Sequence, residues 1–332
     1  MLEADEACRR QKMKVTLMPS SPASGSPTGS PSVGSAKARE ILERIREIMP
    51  ADLTLEGKIG SGATAEVYKG VWEGRLVAVK ELVMGDKQKV RDEVAFAREV
   101  AAITRLSHPN LVTCFGVVLA EKPLRIVTQY CAGGTCLDWL QSDEYEVPIS
   151  WPQRLKVALD VARGVNYLHT CTPQIIHRDL KSGNLLLAAH VLSMQDIPHV
   201  CISDFGLSRM NALADWSEMK LTCVGTFRWM APEVLSGSYD MKVDVYSFAM
   251  VLFEVLSREI PFETVEDDQV RELARQGTRP DREAIRPDCP KSLIALMEVC
   301  WRHDPDERPR FDNIVAQLEA VQPPEPAWEL DG

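Results

Sequence analysis

The sequence predicts an α+β fold of two lobes, a small antiparallel β-rich lobe followed by a large helical one. Residues 53–83 alternate as short strands, LTLEGKIG, AEVYKGVW and RLVAVKELV, separated by glycines and a short polar turn. Residues 86–106 then repeat apolar side chains at helical spacing, with Val90, Val94, Ala97, Val100, Ala101 and Ile103 on one side, and two more strands follow near 111–118 and 124–130. After CAGGT at 131–135 the pattern is mainly helical to about residue 320, broken by a loop-rich centre at 172–235.

Ahead of the strands, residues 1–35 end in the Ser, Pro and Gly tract PSSPASGSPTGSPSVGS, which cannot bury enough apolar area to offset its ordering entropy. We expect disorder there. Its Ser-Pro pairs at Ser21, Ser26 and Ser30 are either phosphosites or simply parts of a solvated linker. Residues 36–49, AKAREILERIREIM, predict an amphipathic helix with a stripe of Ile41, Leu42, Ile45, Ile48 and Met49, capped by Ser35 and closed by Pro50. The Pro-rich stretch 322–327 ends the fold, and no internal repeat is visible.

Composition narrows the function. The 332 residues are 45% hydrophobic, enough for one large two-lobed domain or two small ones. With 38 basic against 48 acidic residues the net charge is -10, which disfavours nucleic acid and anionic membrane as partners. Nine cysteines, an odd number with no CxxC pair, read as reduced buried thiols rather than disulfides or a zinc site. MLEADEACRR has no apolar targeting core, and the most apolar helical run, FAMVLFEVL at 248–256, is too short to span a bilayer and contains Glu254. A soluble, cytoplasmic protein without a membrane span is expected.

The chemistry begins at GSGATAEVYKG, residues 60–70. A strand, a glycine turn and a strand lay backbone N–H groups where phosphate oxygens can sit, although Ala65 stands where a third glycine would complete the spacing. Ile59, Gly60, Ser61, Gly62, Ala63, Thr64 and Ala65 are the candidate contacts. Lys80 follows in the apolar strand VAVK, where an ammonium needs a partner. Glu99 on the next helix is the first candidate, since Glu93 lies on another helix face; such a pair would hold Lys80 ready for the α- and β-phosphates.

Three further segments form one composite signature: IIHRDLKSGNLLL at 175–187, CISDFGLSR at 201–209 and GTFRWMAPEV at 225–234. Together they resemble the eukaryotic protein kinases, over roughly residues 53–320. The resemblance implies a kinase domain at 51–320, with an N-lobe at 51–130, a hinge at 129–135, a C-lobe at 136–320 and a tail at 321–332. It implies ATP and Mg2+ as cofactors and Ser/Thr hydroxyls of proteins as acceptors. Asp179 would orient the acceptor hydroxyl and take its proton, Lys181 would reach the γ-phosphate, and Asn184 and Asp204 would hold magnesium. Thr128 falls at the gatekeeper place, Gln129 and Cys131 at the adenine-bonding hinge, and Val67, Ala78 and Leu186 around the ring. His177 and Phe205 are expected to pack rather than react.

Lys181 and GTFRWMAPEV resemble the serine/threonine type, and CWRHDPDERPRF at 300–311 resembles the tyrosine kinase-like and tyrosine kinase groups. The combination points to a tyrosine kinase-like serine/threonine kinase near Raf and the mixed-lineage kinases. Arg178 would pair with a phosphate on the activation segment, with Thr222 and Ser217 as the leading acceptors for an upstream kinase; Thr226 would bond Asp179 and Lys181. Glu233 is expected to pair with Arg308, and Asp244 to accept N–H groups of the catalytic loop. A Raf-like homodimer is open. Ala65, Thr64, Ala249 and a long segment between Asn184 and Asp204, expected as an exposed loop, depart from the family pattern. A pseudokinase scaffold is the alternative, opposed by the retention of Lys80, Asp179 and Asp204. A dual-specificity or tyrosine kinase is the third reading, opposed by Lys181.

Overall fold

The structure, a computed structural model, describes residues 45–62, 65–82, 100, 103–142, 149–204, 227–237 and 239–324. Five strands form the N-lobe sheet: β1 (Leu53–Ser61), β2 (Ala65–Trp72), β3 (Arg75–Leu82), β4 (Cys114–Val118) and β5 (Arg125–Gln129), in the order β1-β2-β3-β5-β4, with each neighbouring pair antiparallel. Strand period two sorts the side chains. Val77 and Val79 of β3 face a core with Leu53, Trp72, Val118 and Val127. Ala78 and Lys80 alternate with them and so point to the opposite face.

The expected helix at 36–49 is corrected where it can be seen. Residues 45–49 are not helical; residues 36–44 lie outside the described set. Glu47 instead bridges Val117 in parallel, with Ile48 N–H donating to Val117 O at 2.7 Å and Val117 N–H to Arg46 O at 3.0 Å. β4 is the sheet edge, and its unpaired backbone groups outcompete a continued helix. Ile48 is 2% exposed and packs with Trp72 and Val79, whereas Met49, also on the expected stripe, is 54% exposed. Gly116 makes the approach feasible: a Cβ there would lie 2.5 Å from Arg46 O.

The C-lobe is built on α1 (Cys136–Gln141), α2 (Trp151–Thr170), α3 (Lys242–Ser257), α4 (Asp267–Arg275), α5 (Lys291–Cys300) and α6 (Phe311–Glu319). Ser150 and Gln153 close a capping box at the start of α2. From Val243 to Leu256, α3 is buried all round, which explains why its sequence lacks a polar face. Arg154 from α2, itself buried, donates to the carbonyls of Val255 and Leu256 and so satisfies the end of α3.

Two short strands, β6 (Leu185–Leu187) and β7 (Val200–Ile202), pair antiparallel inside the loop-rich centre. The segment joining them, expected as an exposed loop, is instead anchored. Gln153 Nε2 donates to Ser193 O at 2.7 Å and Asp196 O at 2.9 Å, the Asp196 carboxylate accepts from Leu192 N–H and Ser193 N–H, and Val191 is buried. It is still partly open, with Ala189, His190 and Gln195 exposed as well as Leu192 at 59% and Ile197 at 78%.

Candidate active site

The glycine turn closes on itself. Gly62 N–H donates to Ala65 O at 2.8 Å, and Ala65 is the first residue of β2 and 4% exposed. Ala65 therefore serves as a buried strand start, and Gly62 N–H is engaged inside the turn. Ala63 and Thr64 lie outside the described residues, and Ile59 is 49% exposed on β1. The ladders place Val67 opposite Lys80 and Ala78 opposite Thr128, so these four share one face of the sheet. Thr128 Oγ1 donates to Ala78 O at 3.4 Å. Within the hinge, Gly133 N–H donates to Leu187 O at 2.9 Å; a Cβ at Gly133 would meet Leu187 Cβ at 2.6 Å, so the contact requires glycine. This docks the hinge on β6, where Leu186 is half-buried.

Lys80 Nζ bonds Asp204 Oδ1 at 2.7 Å. Loss of hydration raises the Asp204 carboxyl, but the Lys80 ammonium outweighs it and holds the group below its ordinary range. Glu99, the expected partner, lies outside the described residues, as do Phe205, Ser217, Thr222 and Thr226. Asp204 has φ 58 and Arg178 has φ 68, left-handed values that cost non-glycine residues energy and that concentrate at functional sites.

The catalytic loop is tightly drawn. Lys181 Nζ lies 2.9 Å from Asp179 Oδ2. Asn184 Nδ2 donates to Asp179 O at 2.7 Å and Asp179 Oδ2 at 2.9 Å. With both amide protons directed at Asp179, the amide oxygen is the atom Asn184 can present to a cation. Ser203 N–H and Oγ donate to Asn184 O at 2.9 and 3.0 Å, which sets Asp204 next to Asn184. An Asn oxygen and an Asp carboxylate are hard donors suited to magnesium, which takes few protein ligands and keeps waters. Among the described residues no cluster of three or more His, Cys, Asp or Glu forms a protein-only metal cage.

Asp244 holds this loop from below. Fully buried, it accepts from His177 N–H at 2.7 Å, Arg178 N–H at 2.8 Å and His169 Nε2 at 2.8 Å. Burial raises its carboxyl, but these donors win and hold it below its ordinary range. His177 is also fully buried. Its Nδ1 accepts Asp179 N–H at 3.3 Å, which assigns the proton to Nε2, donated to Ser203 O at 3.0 Å. His177 thus packs and ties the loop to the strand before Asp204, as expected. The expected Glu233–Arg308 pair is present and bidentate, at 2.5 and 3.0 Å.

Sequence reasoning missed Ser182 and Glu254. Ser182 Oγ bonds Glu254 Oε1 at 2.6 Å, and Trp229 Nε1 donates to Glu254 Oε2 at 2.7 Å. The available signal was the lone acid in FAMVLFEVL, an apolar run that should exclude it.

A small β-lobe, a helical lobe and an Asp-Lys-Asn loop beside a Lys–Asp pair define a phosphotransferase scaffold, and comparison with known proteins agrees. The family model for protein tyrosine and serine/threonine kinases matches residues 53–318. The chain belongs to that protein kinase family, in its tyrosine kinase-like neighbourhood. It is 37% identical, over 84% of its length, to the probable serine/threonine-protein kinase drkC of Dictyostelium discoideum, of which it spans 36%. It is 37% identical over 86% to the serine/threonine-protein kinase VIK of Arabidopsis thaliana, spanning 64% of it, and 38% identical over 82% to the serine/threonine-protein kinase CTR1 of the same plant, spanning 32%. The chain therefore covers less than two thirds of each of these relatives. No helix among the described residues is long and apolar enough to cross a membrane.

Proposed function

We propose that this chain transfers the γ-phosphoryl group of Mg-ATP to Ser or Thr hydroxyls of protein substrates. The observation that carries the reading is the convergence of Asp179, Lys181 and Asn184 with the Lys80–Asp204 pair. Phosphoryl transfer asks a protein mainly for positioning and charge neutralisation, and these five side chains supply both.

Val67, Ala78 and Leu186 would enclose an adenine ring, with Thr128 at the gatekeeper place. Gln129 N–H is taken by Thr113 O at 2.9 Å, so Gln129 contributes its carbonyl to the adenine edge, beside the backbone of Cys131. Lys80 would supply positive charge to the α- and β-phosphates, with Glu99 as its proposed helix partner. Asn184 and Asp204 would hold magnesium, which would supply charge neutralisation at the phosphates. Asp179 accepts the proton of the acceptor hydroxyl while Lys181 keeps positive charge beside the transferred group. An upstream kinase acting on Thr222 or Ser217, a cytoplasmic location and a Raf-like homodimer belong to the same proposal.

Purified protein given Mg-ATP and a generic protein acceptor should incorporate phosphate, and Lys80→Met and Asp204→Asn should each lower the rate by at least about a hundredfold. Equal, negligible transfer by all three overturns the enzyme reading in favour of a scaffold. Phosphoamino-acid analysis decides acceptor class, and dominant phosphotyrosine would reject the Ser/Thr assignment.

A further inference from the structure

Glu254 is fully buried in α3 among apolar neighbours. Burial pushes its carboxyl up to about 8, against the lowering effect of its bonds to Ser182 and Trp229. A hydrocarbon of similar volume would fill this place at lower cost, because taking a carboxyl out of water is expensive. What the acid provides is two bonds in different directions. Oε1 meets Ser182 Oγ at 2.6 Å, and Ser182 stands between Lys181 and Asn184. Oε2 accepts from Trp229 Nε1 at 2.7 Å, and Trp229 stands three residues after Thr226.

The Trp229 segment is fixed to the helical lobe elsewhere too. Ser247 Oγ donates to Trp229 O at 2.8 Å, and Ser247 lies two helical turns before Glu254 on the same face of α3. Arg228 donates to Pro261 O at 3.2 Å and Val265 O at 3.0 Å and pairs with Asp267 at 3.1 Å. These bonds hold the segment to the lobe, and Glu254 ties it to the catalytic loop.

We propose that Glu254 is a positioning residue that couples the catalytic loop, through Ser182, to the segment carrying Trp229, and so sets Asp179 and Lys181 relative to that segment. The inference rests on the kinase reading above. Its consequence is specific. The nucleotide face of β2, β3 and β5 makes no use of Glu254, so loss of the coupling lowers kcat and spares the KM for ATP.

The test uses the full chain. Glu254→Leu removes both bonds while keeping volume, and because it strands the buried Ser182 hydroxyl and Trp229 indole N–H its Tm should fall, so its kinetics are read well below that Tm. Its kcat should fall by about tenfold or more, with the KM for ATP within about twofold. Glu254→Gln keeps an acceptor for Trp229 and a donor for Ser182 and should restore kcat to within about threefold. Ser182→Ala and Trp229→Phe each remove one bond and should fall between. The 15N-labelled indole N–H resonance of Trp229 gives a readout that needs no activity: it should move in Glu254→Leu and in Ser182→Ala, and stay near its place in Glu254→Gln. A Glu254→Leu enzyme with unchanged kcat, or a Gln variant as impaired as the Leu variant, overturns the proposal. If the parent chain transfers no phosphate, the kinase reading fails separately, and the coupling then stands or falls on the indole shift, an unmoved resonance rejecting it.

Discussion

At the scale of single residues, the site is set by which buried polar atoms find donors. Asp244 is held below its ordinary range because three donors converge on it, while Glu254 has two and burial pushes it up to about 8. The two buried acids sit on one helix ten positions apart, and their surroundings move their carboxyls in opposite directions. For Glu254 the sign follows from proton counting. Between the ordinary carboxyl range and about pH 8 the folded chain holds a proton that the unfolded chain has lost, so this group's stabilising contribution is present at low pH and disappears as pH rises to about 8. Urea midpoints across pH 5 to 8 should therefore decline more steeply for the parent than for Glu254→Gln; parallel curves would contradict the raised value. Ala65 is the other informative residue. Because it begins β2 and is buried, Ala65→Gly should loosen the turn and change the KM for ATP by less than about tenfold, or ~1.4 kcal/mol. Abolished activity would mean that the turn has a different role.

At the scale of elements, the strap at 45–49 changes what the β-lobe is. It lies upstream of the matched family region yet covers the β4 edge, and Arg46 stacks over Trp72 at 4.5 Å while pairing with Glu73 at 2.8 Å. Ile45 packs with Val100, Val117, Leu124 and Ile126, so the strap also touches the cluster containing the residue that follows Glu99. Ile48→Ala should cost about 2–4 kcal/mol by denaturant unfolding, the penalty of a core cavity. Gly116→Val should displace the strap, because the added side chain collides with Arg46 O; faster proteolytic cleavage between residues 40 and 50 would report it, and unchanged cleavage would contradict the pairing. The anchored β6–β7 connection shows the same principle. A long insert is anchored when its turn carbonyls are satisfied by a buried side chain, here Gln153.

At the scale of the whole molecule, the lobes meet along a few backbone and side-chain bonds. Val112 N–H donates to Ile202 O and Ile202 N–H to Asn110 O, each at 2.9 Å, and Lys80 reaches Asp204. The helical lobe is braced by Arg308, whose side chain is 0% exposed against 17% for Glu233. Removing either partner should cost about 3–5 kcal/mol, and Arg308→Ala should cost more than Glu233→Ala, because Arg308 also donates to the carbonyls of Arg302, Lys242 and His303 and its loss empties a buried site. Tm and urea midpoints of the two variants give the order, and the reverse order would show that the charge left on Arg308 dominates.

The geometry of the Asp179–Asn184 loop was legible in the sequence because that loop is local. Asp179, Lys181 and Asn184 lie within six residues, so their types and spacing fix which donors and acceptors meet, and the strand alternation of VAVK already placed Ala78 and Lys80 on one face. Periodicity reports backbone state and the buried side, but it says nothing about which distant group lies opposite. The helix expected at 36–49 failed over 45–49 for that reason: an open sheet edge seventy residues downstream competed for the same backbone. The bond between Lys80 and Asp204, across 124 residues, and the carboxyl of Glu254 between Ser182 and Trp229 were likewise decided only by tertiary structure. A buried polar atom must find its partner wherever packing brings one within hydrogen-bond reach, and that distance is set by the assembled core rather than by neighbours in the chain.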